Sequence, residues 1–295
     1  MPSKRNQGPF PARGSLGPSA ASVAAALGLI ACTAQTSKVH AAQPKPATIS
    51  RASTVRLEEL TWTELRDAIR AGKKTVIIPV GGLEQSGPTI ALGKHDVRVA
   101  ALSDQIAREL HNTLVAPVLA YVPEGELKPP TEHMRFPGTI TVPREAFRAV
   151  LRSAAESLAL HGFQTVALLG DHGGYQSDLK GVADDLNRTW GAKGPRAVYV
   201  GDYYRASQTA YVQALRQKRF SAAEIGTHAG LADASLMLAV DPRYVRTDKM
   251  RVLSLSVADG VHGDPRRATA GLGIVGVKLM IEKAVQQIRA AQAGR

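Results

Sequence analysis

The stretch that decides the fold runs from Thr75 to Asp96 and reads T-V-I-I-P-V-G-G-L-E-Q-S-G-P-T-I-A-L-G-K-H-D. Its first six residues, Thr75–Val80, are almost all apolar, which is typical of a short strand buried on both faces. The loop that follows is rich in glycine and carries Glu84, His95 and Asp96. Because a rigid strand positions such a loop and the loop presents oxygen and nitrogen ligands, we expect a functional site here.

Strand and helix patterns alternate along the rest of the chain. Further strands are predicted at Leu114–Val122, Ile140–Val142, Thr165–Leu169 and Ala197–Val200. Apolar residues at helical spacing predict helices at Trp62–Ala71, Val97–Leu110, Pro143–His161, Gln176–Trp190, His228–Ala239 and Ile274–Ala291. The alternation predicts an α/β fold with a mostly parallel sheet, in which sites lie beyond the carboxyl ends of the strands.

Several residues that could carry chemistry lie near a strand end or a helix start. They are Glu84, His95, Asp96, Asp171, His172, His228 and Asp233. Taken singly, each has an ordinary explanation, such as a helix cap or a structural histidine. Taken together, they form a mixed carboxylate and imidazole set, which suits Zn, Mn or Fe(II) better than Ca or Mg. The sequence therefore favours a transition-metal site.

Five motifs, in order, resemble those of the creatininase (creatinine amidohydrolase) family. They are E-Q-S-G-P-T-I-A-L-G-K-H-D from Glu84 to Asp96, T-E-H-M-R-F-P-G-T from Thr131 to Thr139, G-D-H-G-G-Y from Gly170 to Tyr175, H-A-G-L-A-D-A-S from His228 to Ser235, and G-V-H-G-D-P from Gly260 to Pro265. The resemblance covers roughly residues 56–290. It implies a three-layer α/β/α sandwich and a metal-dependent amidohydrolase acting on cyclic amide or formamide-type C–N bonds of small molecules. Some family members are hexamers.

The resemblance also implies a set of metal ligands. Glu84 and His172 match ligands of the family's first metal, and either His95 or Asp96 takes the place of its bridging aspartate. The second metal's histidine and glutamate are replaced by Ser86 and Asp233. A neutral hydroxyl is a poor ligand for a transition metal, so we expect one divalent ion, with a second as the alternative.

His228 matches the family's catalytic histidine and is the expected proton relay. For Glu132 and His133 we expect loop packing or a hydrogen bond to the turn at Phe136–Thr139. The segments Glu124–Pro130 and Gly201–Lys218 are candidates for choosing the substrate. The departures at Ser86 and Asp233 leave open a second function, a non-catalytic relative that binds a small ligand.

The amino-terminal residues predict export. Residues 1–41 combine Lys4, Arg5 and Arg13 with a short apolar run, which is typical of a signal peptide, and residues 42–54 are a polar linker. Leu29–Cys32 resembles a lipoprotein cleavage site, so Cys32 could carry a lipid; an ordinary cleavage after Ala41 is the alternative. We therefore expect residues 55–295 to form a periplasmic hydrolase domain, either soluble or lipid-anchored.

The composition excludes some partners. The formal net charge is +12, but aromatic residues make up only 5% of the chain and no block of Lys and Arg is interleaved with them. We therefore expect a solvated basic surface and no nucleic-acid partner. Cys32 is the single cysteine, so the mature domain has neither a disulfide nor thiol catalysis.

Overall fold

Four parallel strands form the sheet of the computed structural model, which describes residues 54–252 and 254–294. The strands are β1 (Thr75–Val80), β2 (Thr113–Val115), β3 (Thr165–Gly170) and β4 (Arg196–Tyr199), in the order β2-β1-β3-β4. The central pair is in register from Thr75 opposite Thr165 to Val80 opposite Gly170. The predictions for residues 1–41, including Cys32, and for nearly all of the linker fall outside the described residues.

Ten α-helices accompany these strands in the described part of the chain. They are α1 (Trp62–Arg70), α2 (Lys94–Leu110), α3 (Arg144–Leu160), α4 (Gln176–Trp190), α5 (Gly201–Gln208), α6 (Ala210–Gln217), α7 (Ala222–Ile225), α8 (Leu231–Val240), α9 (Thr247–Val252) and α10 (Ala270–Ala293). Across the described residues, none of them is both long enough and apolar enough to cross a bilayer.

The helices cover the sheet on both faces. Ile77, Ala167 and Leu169 point into one hydrophobic core, which contains buried apolar residues of α2, α5, α8 and α10. Their neighbours Val76 and Val166 point into the other core, with residues of α1, α3 and α4. Because alternate strand residues enter opposite cores, every residue of β1 and β3 is buried. The prediction of a three-layer α/β/α sandwich is confirmed.

The order of the strands places a crevice at the carboxyl ends of β1 and β3. Helix α2 connects β1 to β2 over one face of the sheet, and α4 connects β3 to β4 over the other. The chain therefore leaves β1 and β3 in opposite directions, and the loops that follow these two strands separate. Ligands of open α/β sheets bind at such switch points.

Two predicted strands differ from the structure. Leu114–Val122 pairs as a ladder only over Thr113–Val115, although Ala116 N and Leu119 N still donate to the carbonyls of Ile77 and Pro79 at 2.8 and 2.9 Å. The residues Ile140–Val142 do not form a strand. They bridge two loops through single bonds, Ile140 N to the Leu83 carbonyl and Val142 N to the Val122 carbonyl, at 3.1 and 3.2 Å.

Candidate metal centre

Glycines at the end of β1 let the backbone pass close to its neighbours. A Cβ on Gly81 would lie 2.0 Å from Oδ1 of Asp96, and one on Gly82 would lie 2.7 Å from Oε1 of Glu124. Gly82 has φ +139°, and its N–H donates to Asp96 Oδ1 at 2.8 Å. A side chain on Gly81 would collide with the carboxylate of Asp96, and one on Gly82 would collide with that of Glu124. The two glycines therefore allow the chain to turn inward, and Glu84 is fully buried.

Tyr175 joins the loops that follow β1 and β3. Its buried hydroxyl lies 2.7 Å from the carbonyl oxygens of Val80 and Gly81 and shares its single proton between them. The same oxygen accepts from the N–H groups of Asp171 and His172 at 3.2 and 3.1 Å. One side chain therefore satisfies four backbone groups and holds His172 beside the end of β1.

A closed circuit of alternating charges lies beneath the site; we call it the charge ring. Glu84 Oε1 lies 3.1 Å from Lys94 Nζ, which lies 3.1 Å from Asp233 Oδ2. Asp233 Oδ1 accepts from Arg98 at 3.2 Å, and Arg98 Nε donates to Asp171 Oδ2 at 2.8 Å. His95 closes the circuit, with Nδ1 2.6 Å from Asp171 and Nε2 2.8 Å from Glu84. Lys94, His95 and Arg98 all come from the first turns of α2.

The ring keeps its members charged despite burial. Burial alone would raise the pKa of Asp171 and of Asp233, but Arg98 and the other cations outweigh it and hold both pKa values below the usual range. Burial would lower the pKa of His95, but the adjacent carboxylates, chiefly Glu84, raise it. Because both ring nitrogens of His95 face carboxylates, the imidazolium form satisfies both acceptors. Three carboxylates and three cations then balance.

A second group of residues converges on the other oxygen of Glu84; we call it the ligand group. Its members are Glu84, Glu124, His133 and His172, each of which offers one atom within 4.8 Å of the others. Nε2 of His133 and Nε2 of His172 both lie 3.1 Å from Glu84 Oε2. Glu124 Oε1 lies 3.5 Å from His172 Nδ1. Two carboxylates and two imidazoles are a donor set that suits Zn, Mn or Fe.

Unpaired oxygens show that the ligand group fits a cation. Among the described residues, Glu84 Oε2 and both carboxylate oxygens of Glu124 are buried and have no hydrogen-bond partner of good geometry. Burial, with a smaller contribution from Glu84, raises the pKa of Glu124 to about 10, so Glu124 is protonated at neutral pH when no cation is bound. Buried polar atoms without partners are costly and rare. A divalent cation would supply the missing partner for all three oxygens.

His228 lies beside the ligand group. Its Nε2 is 2.9 Å from the Gln85 carbonyl oxygen, and its Nδ1 is 3.6 Å from Glu84 Oε1. The Gln85 side-chain nitrogen lies 3.1 Å from Nδ1 of His133, so Gln85 contacts the His133 ring through its side chain and the His228 ring through its main-chain carbonyl. Burial and the charge of Lys94 lower the pKa of His228 to about 3. His228 is therefore neutral at pH 7.

Two cavities reach this region. The first has a volume of about 280 Å³ and is lined by Glu84, His172, His228 and Asp233, with Tyr204 and Gln208 from α5 on its wall. The second, of about 790 Å³, also reaches His172 and is lined by residues of the predicted specificity segment Glu124–Pro130. Part of the other predicted segment, Gly201–Lys218, folds as α5 and α6 and lines the first cavity.

Fold and motifs together identify the family. A family model described as creatinine amidohydrolase matches residues 58–288. The chain belongs to the creatininase family. Creatinine amidohydrolase of Pseudomonas putida is 27% identical over 202 residues, which span 67% of this chain and 76% of that protein. Mycofactocin precursor peptide peptidase of Mycobacterium ulcerans (strain Agy99) is 28% identical over 246 residues, 72% of this chain and 84% of that protein.

Solved creatininases share the fold. A mutant creatininase aligns with TM-score 0.67 at 23% identity, covering 81% of this chain and 98% of its own. The structure named "Creatininase Mn" aligns with TM-score 0.65 at 24% identity, again over 81% and 98% of the two chains. The recognition of a creatininase-like chain from its motifs is thus confirmed, and so is the fold that the resemblance implied.

The predicted site residues of this creatininase-family chain divide between the two groups. Glu84 and His172 lie in the ligand group, while His95 and Asp233 are held in the charge ring. Asp96 accepts a hydrogen bond from Gly82 N instead. Ser86 Oγ is buried without a hydrogen-bond partner among the described residues. Which of these residues bind metal stays a prediction, but His95 has no ring nitrogen that is free of a carboxylate partner.

Glu124 and His133 were missed as candidates for the ligand group. His133 lies in the motif from Thr131 to Thr139, where the sequence favoured loop packing, and Glu124 lies outside all five motifs. Only His133 could have been found from the sequence, because its motif places a glutamate beside a histidine and both residue types can bind a metal. Glu124 follows the irregular segment after β2, and only the tertiary path brings its carboxylate to His172.

Proposed function

We propose that this chain is a metal-dependent amidohydrolase that cleaves a C–N bond in a small molecule. The observation that carries the proposal is the set of buried carboxylate oxygens on Glu84 and Glu124, which face two histidines and have no hydrogen-bond partner of good geometry within residues 54–252 and 254–294. Membership of the creatininase family supports the reaction class. In this proposal the ligand group holds one divalent ion, namely Zn, Mn or Fe.

The residues around the ligand group have distinct roles in the proposal. A bound divalent ion would lower the pKa of a water molecule and polarise the carbonyl of the substrate. Glu84, His133 and His172 would hold the ion, and Glu124 would complete the set on ionising. His228, neutral at pH 7, donates from Nε2 to the Gln85 carbonyl and turns the lone pair of Nδ1 toward the site. It can therefore accept a proton at Nδ1.

The size of the first cavity favours a small substrate. A volume of about 280 Å³ is at the lower end of small-molecule sites. A peptide amide is the second candidate, because relatives 28% identical to this chain are named as mycofactocin precursor peptide peptidases and because a larger cavity also reaches His172. Hydrolysis of a panel containing cyclic amides, formamides and short peptides distinguishes the two.

The test of the proposal is metal content measured together with hydrolysis. Purified protein, expressed with excess metal, is analysed for Zn, Mn and Fe, and the same samples are assayed against the panel. His172→Ala is expected to lose metal and thermal stability together, because an ion that binds only the folded state stabilises it. His161→Ala, at an exposed histidine after α3, is the matched control and should change neither. Metal below about a tenth of an equivalent in the unaltered protein would support the non-catalytic alternative.

Export and assembly are part of the proposal. The basic and apolar pattern of residues 1–41 supports secretion to the periplasm, with or without a lipid on Cys32. Mass spectrometry of the mature amino terminus separates a lipidated Cys32 from a free Ala42. Hexamers in the family support a homo-oligomer, which light scattering of the purified protein tests directly.

A further inference from the structure

Lys94 occupies an unusual place for a lysine. Its side chain is 1% exposed, and its ammonium lies 3.1 Å from two carboxylate oxygens, Glu84 Oε1 and Asp233 Oδ2. Fully buried lysines are rare and need close negative partners. The side chain enters from the first turn of α2 and ends between the carboxyl end of β1 and the start of α8. Its charge is therefore placed in the floor of the first cavity.

The two partners of Lys94 differ in what else they contact. Both oxygens of Asp233 have protein donors, because Oδ1 faces Arg98 at 3.2 Å and Oδ2 also accepts from Ala229 N at 2.9 Å. The two oxygens of Glu84 have different surroundings. Oε1 faces Lys94 and His95, while Oε2 has no hydrogen-bond partner among the described residues. Protein donors thus already pair the carboxylate oxygens around Lys94, and the oxygen of Glu84 that is available to a ligand is Oε2, on its opposite side.

We propose that Lys94 is a built-in replacement for a metal ion: it holds the position between Glu84 and Asp233 that a second divalent cation would otherwise take. The centre then binds one ion, in the ligand group on the Oε2 side of Glu84. The inference rests on the proposed function for that one ion.

Charge and geometry both favour this arrangement. A carboxylate that bridges two cations offers one oxygen to each, and Glu84 does so with Lys94 on Oε1 and the ligand group on Oε2. A dication beside Nζ would be repelled by the ammonium itself, so the position between Glu84 and Asp233 admits one cation at a time. Removing the ammonium leaves Glu84 Oε1 and Asp233 Oδ2 facing an emptied space between them, which is a pair of hard oxygen donors.

The experiment is a metal titration of chelator-treated, full-length protein with Mn²⁺ and, separately, with Zn²⁺. The unaltered protein should bind about one equivalent, and Lys94→Ala should bind about two. Lys94→Met fills the same space without a charge and should remain at about one equivalent. Lys180→Ala removes an exposed lysine that pairs with Asp184, and this control should match the unaltered protein.

The possible outcomes distinguish a failure of the role proposed for Lys94 from a failure of the proposed metal-dependent function. One equivalent in both the unaltered protein and folded Lys94→Ala overturns the role of Lys94 and leaves the proposed function standing. Binding of two equivalents by the unaltered protein also overturns the role of Lys94 and leaves the proposed function standing. If the unaltered protein binds no metal but Lys94→Ala binds one ion, the proposed metal function fails while the role of Lys94 holds. No binding by either protein overturns both.

A second measurement covers the case in which Lys94→Ala does not fold. Crystals of the unaltered protein soaked in Mn²⁺ should show a single anomalous peak, among Glu84, His133 and His172. Lys94 Nζ should stay between Glu84 and Asp233. A second peak within coordination distance of Asp233, or displacement of the lysine by the ion, would overturn the proposal without any substitution.

Discussion

Oε1 of Glu84 lies 3.1 Å from the ammonium of Lys94, and both groups are almost completely buried. This contact divides the centre into two parts. On the lysine side, cations of the protein neutralise every carboxylate of the charge ring. On the other side, Oε2 of Glu84 faces histidines and has no hydrogen-bond partner among the described residues. The part that is already paired supplies stability, and the unpaired part is where a ligand can bind.

Replacing Glu124 tests its protonation state. Because the pKa of Glu124 is raised to about 10, the residue is neutral without metal, and Glu124→Gln should change the unfolding free energy of chelator-treated protein by less than about 1 kcal/mol. The same variant should bind Mn²⁺ about 10-fold or more weakly, because a neutral amide replaces a carboxylate ligand. Denaturant titration and calorimetry measure the two effects.

Glu84→Gln is the matched comparison for that experiment. Glu84 is buried, is held ionised by Lys94 and His95, and belongs to the charge ring. Its amide variant should lower the unfolding free energy of metal-free protein by about 3–5 kcal/mol, since it leaves buried cations without their partner. Equal stability losses in the two variants would show that Glu124 is charged as well.

Asp171→Asn tests the charge ring away from the ligand group. The carboxylate accepts from His95, from Arg98 and from the Tyr203 hydroxyl at 2.6 Å, and it is fully buried. We expect the unfolding free energy to fall by about 3–5 kcal/mol. Asp184→Asn breaks an exposed pair with Lys180 and should change it by no more than about 0.5 kcal/mol. A small effect at Asp171 would mean that the ring contributes little to stability.

Tyr175→Phe tests the connection between β1 and β3. The variant removes one hydroxyl and leaves buried backbone groups of Val80, Gly81 and Asp171 without that partner. The unfolding free energy should fall by about 1–3 kcal/mol, and metal affinity should fall about 10-fold, since His172 is no longer held. Tyr121→Phe, on a tyrosine that is 60% exposed, is the control. Unchanged metal affinity with lowered stability would limit Tyr175 to a structural role.

His228 predicts a pH dependence of stability. Its pKa is about 3 in the folded chain and about 6.5 when unfolded, so below pH 6.5 the unfolded state binds more protons. The stability that neutral His228 contributes is complete above pH 6.5 and is lost as the pH falls toward 3, by about 1.4 kcal/mol per pH unit. His228→Gln removes this contribution, so denaturant midpoints of the two chelator-treated proteins, compared from pH 7 to pH 4, should diverge. Parallel curves would contradict the lowered pKa.

The local pattern of apolar and polar residues was sufficient to predict most of the helices and strands. The continuous apolar run of Thr75–Val80 predicts a doubly buried strand, and β1 has those bounds. The helix after it begins at Lys94, three residues before the predicted Val97, because polar Lys94, His95 and Asp96 form its first turn. The spacing of apolar residues does not predict a helical turn whose residues are polar, even when these residues are buried.

Sequence by itself determined the family, the layered α/β fold and two members of the ligand group, Glu84 and His172, because these depend on residues close together in motifs. Tertiary structure decided the rest. Glu124 and His133 reach the same point by irregular loops, and the pairing of Lys94 with Asp233 spans 139 positions of the chain. Ion pairs between residues so far apart depend on how helices cross the sheet, which no local spacing encodes.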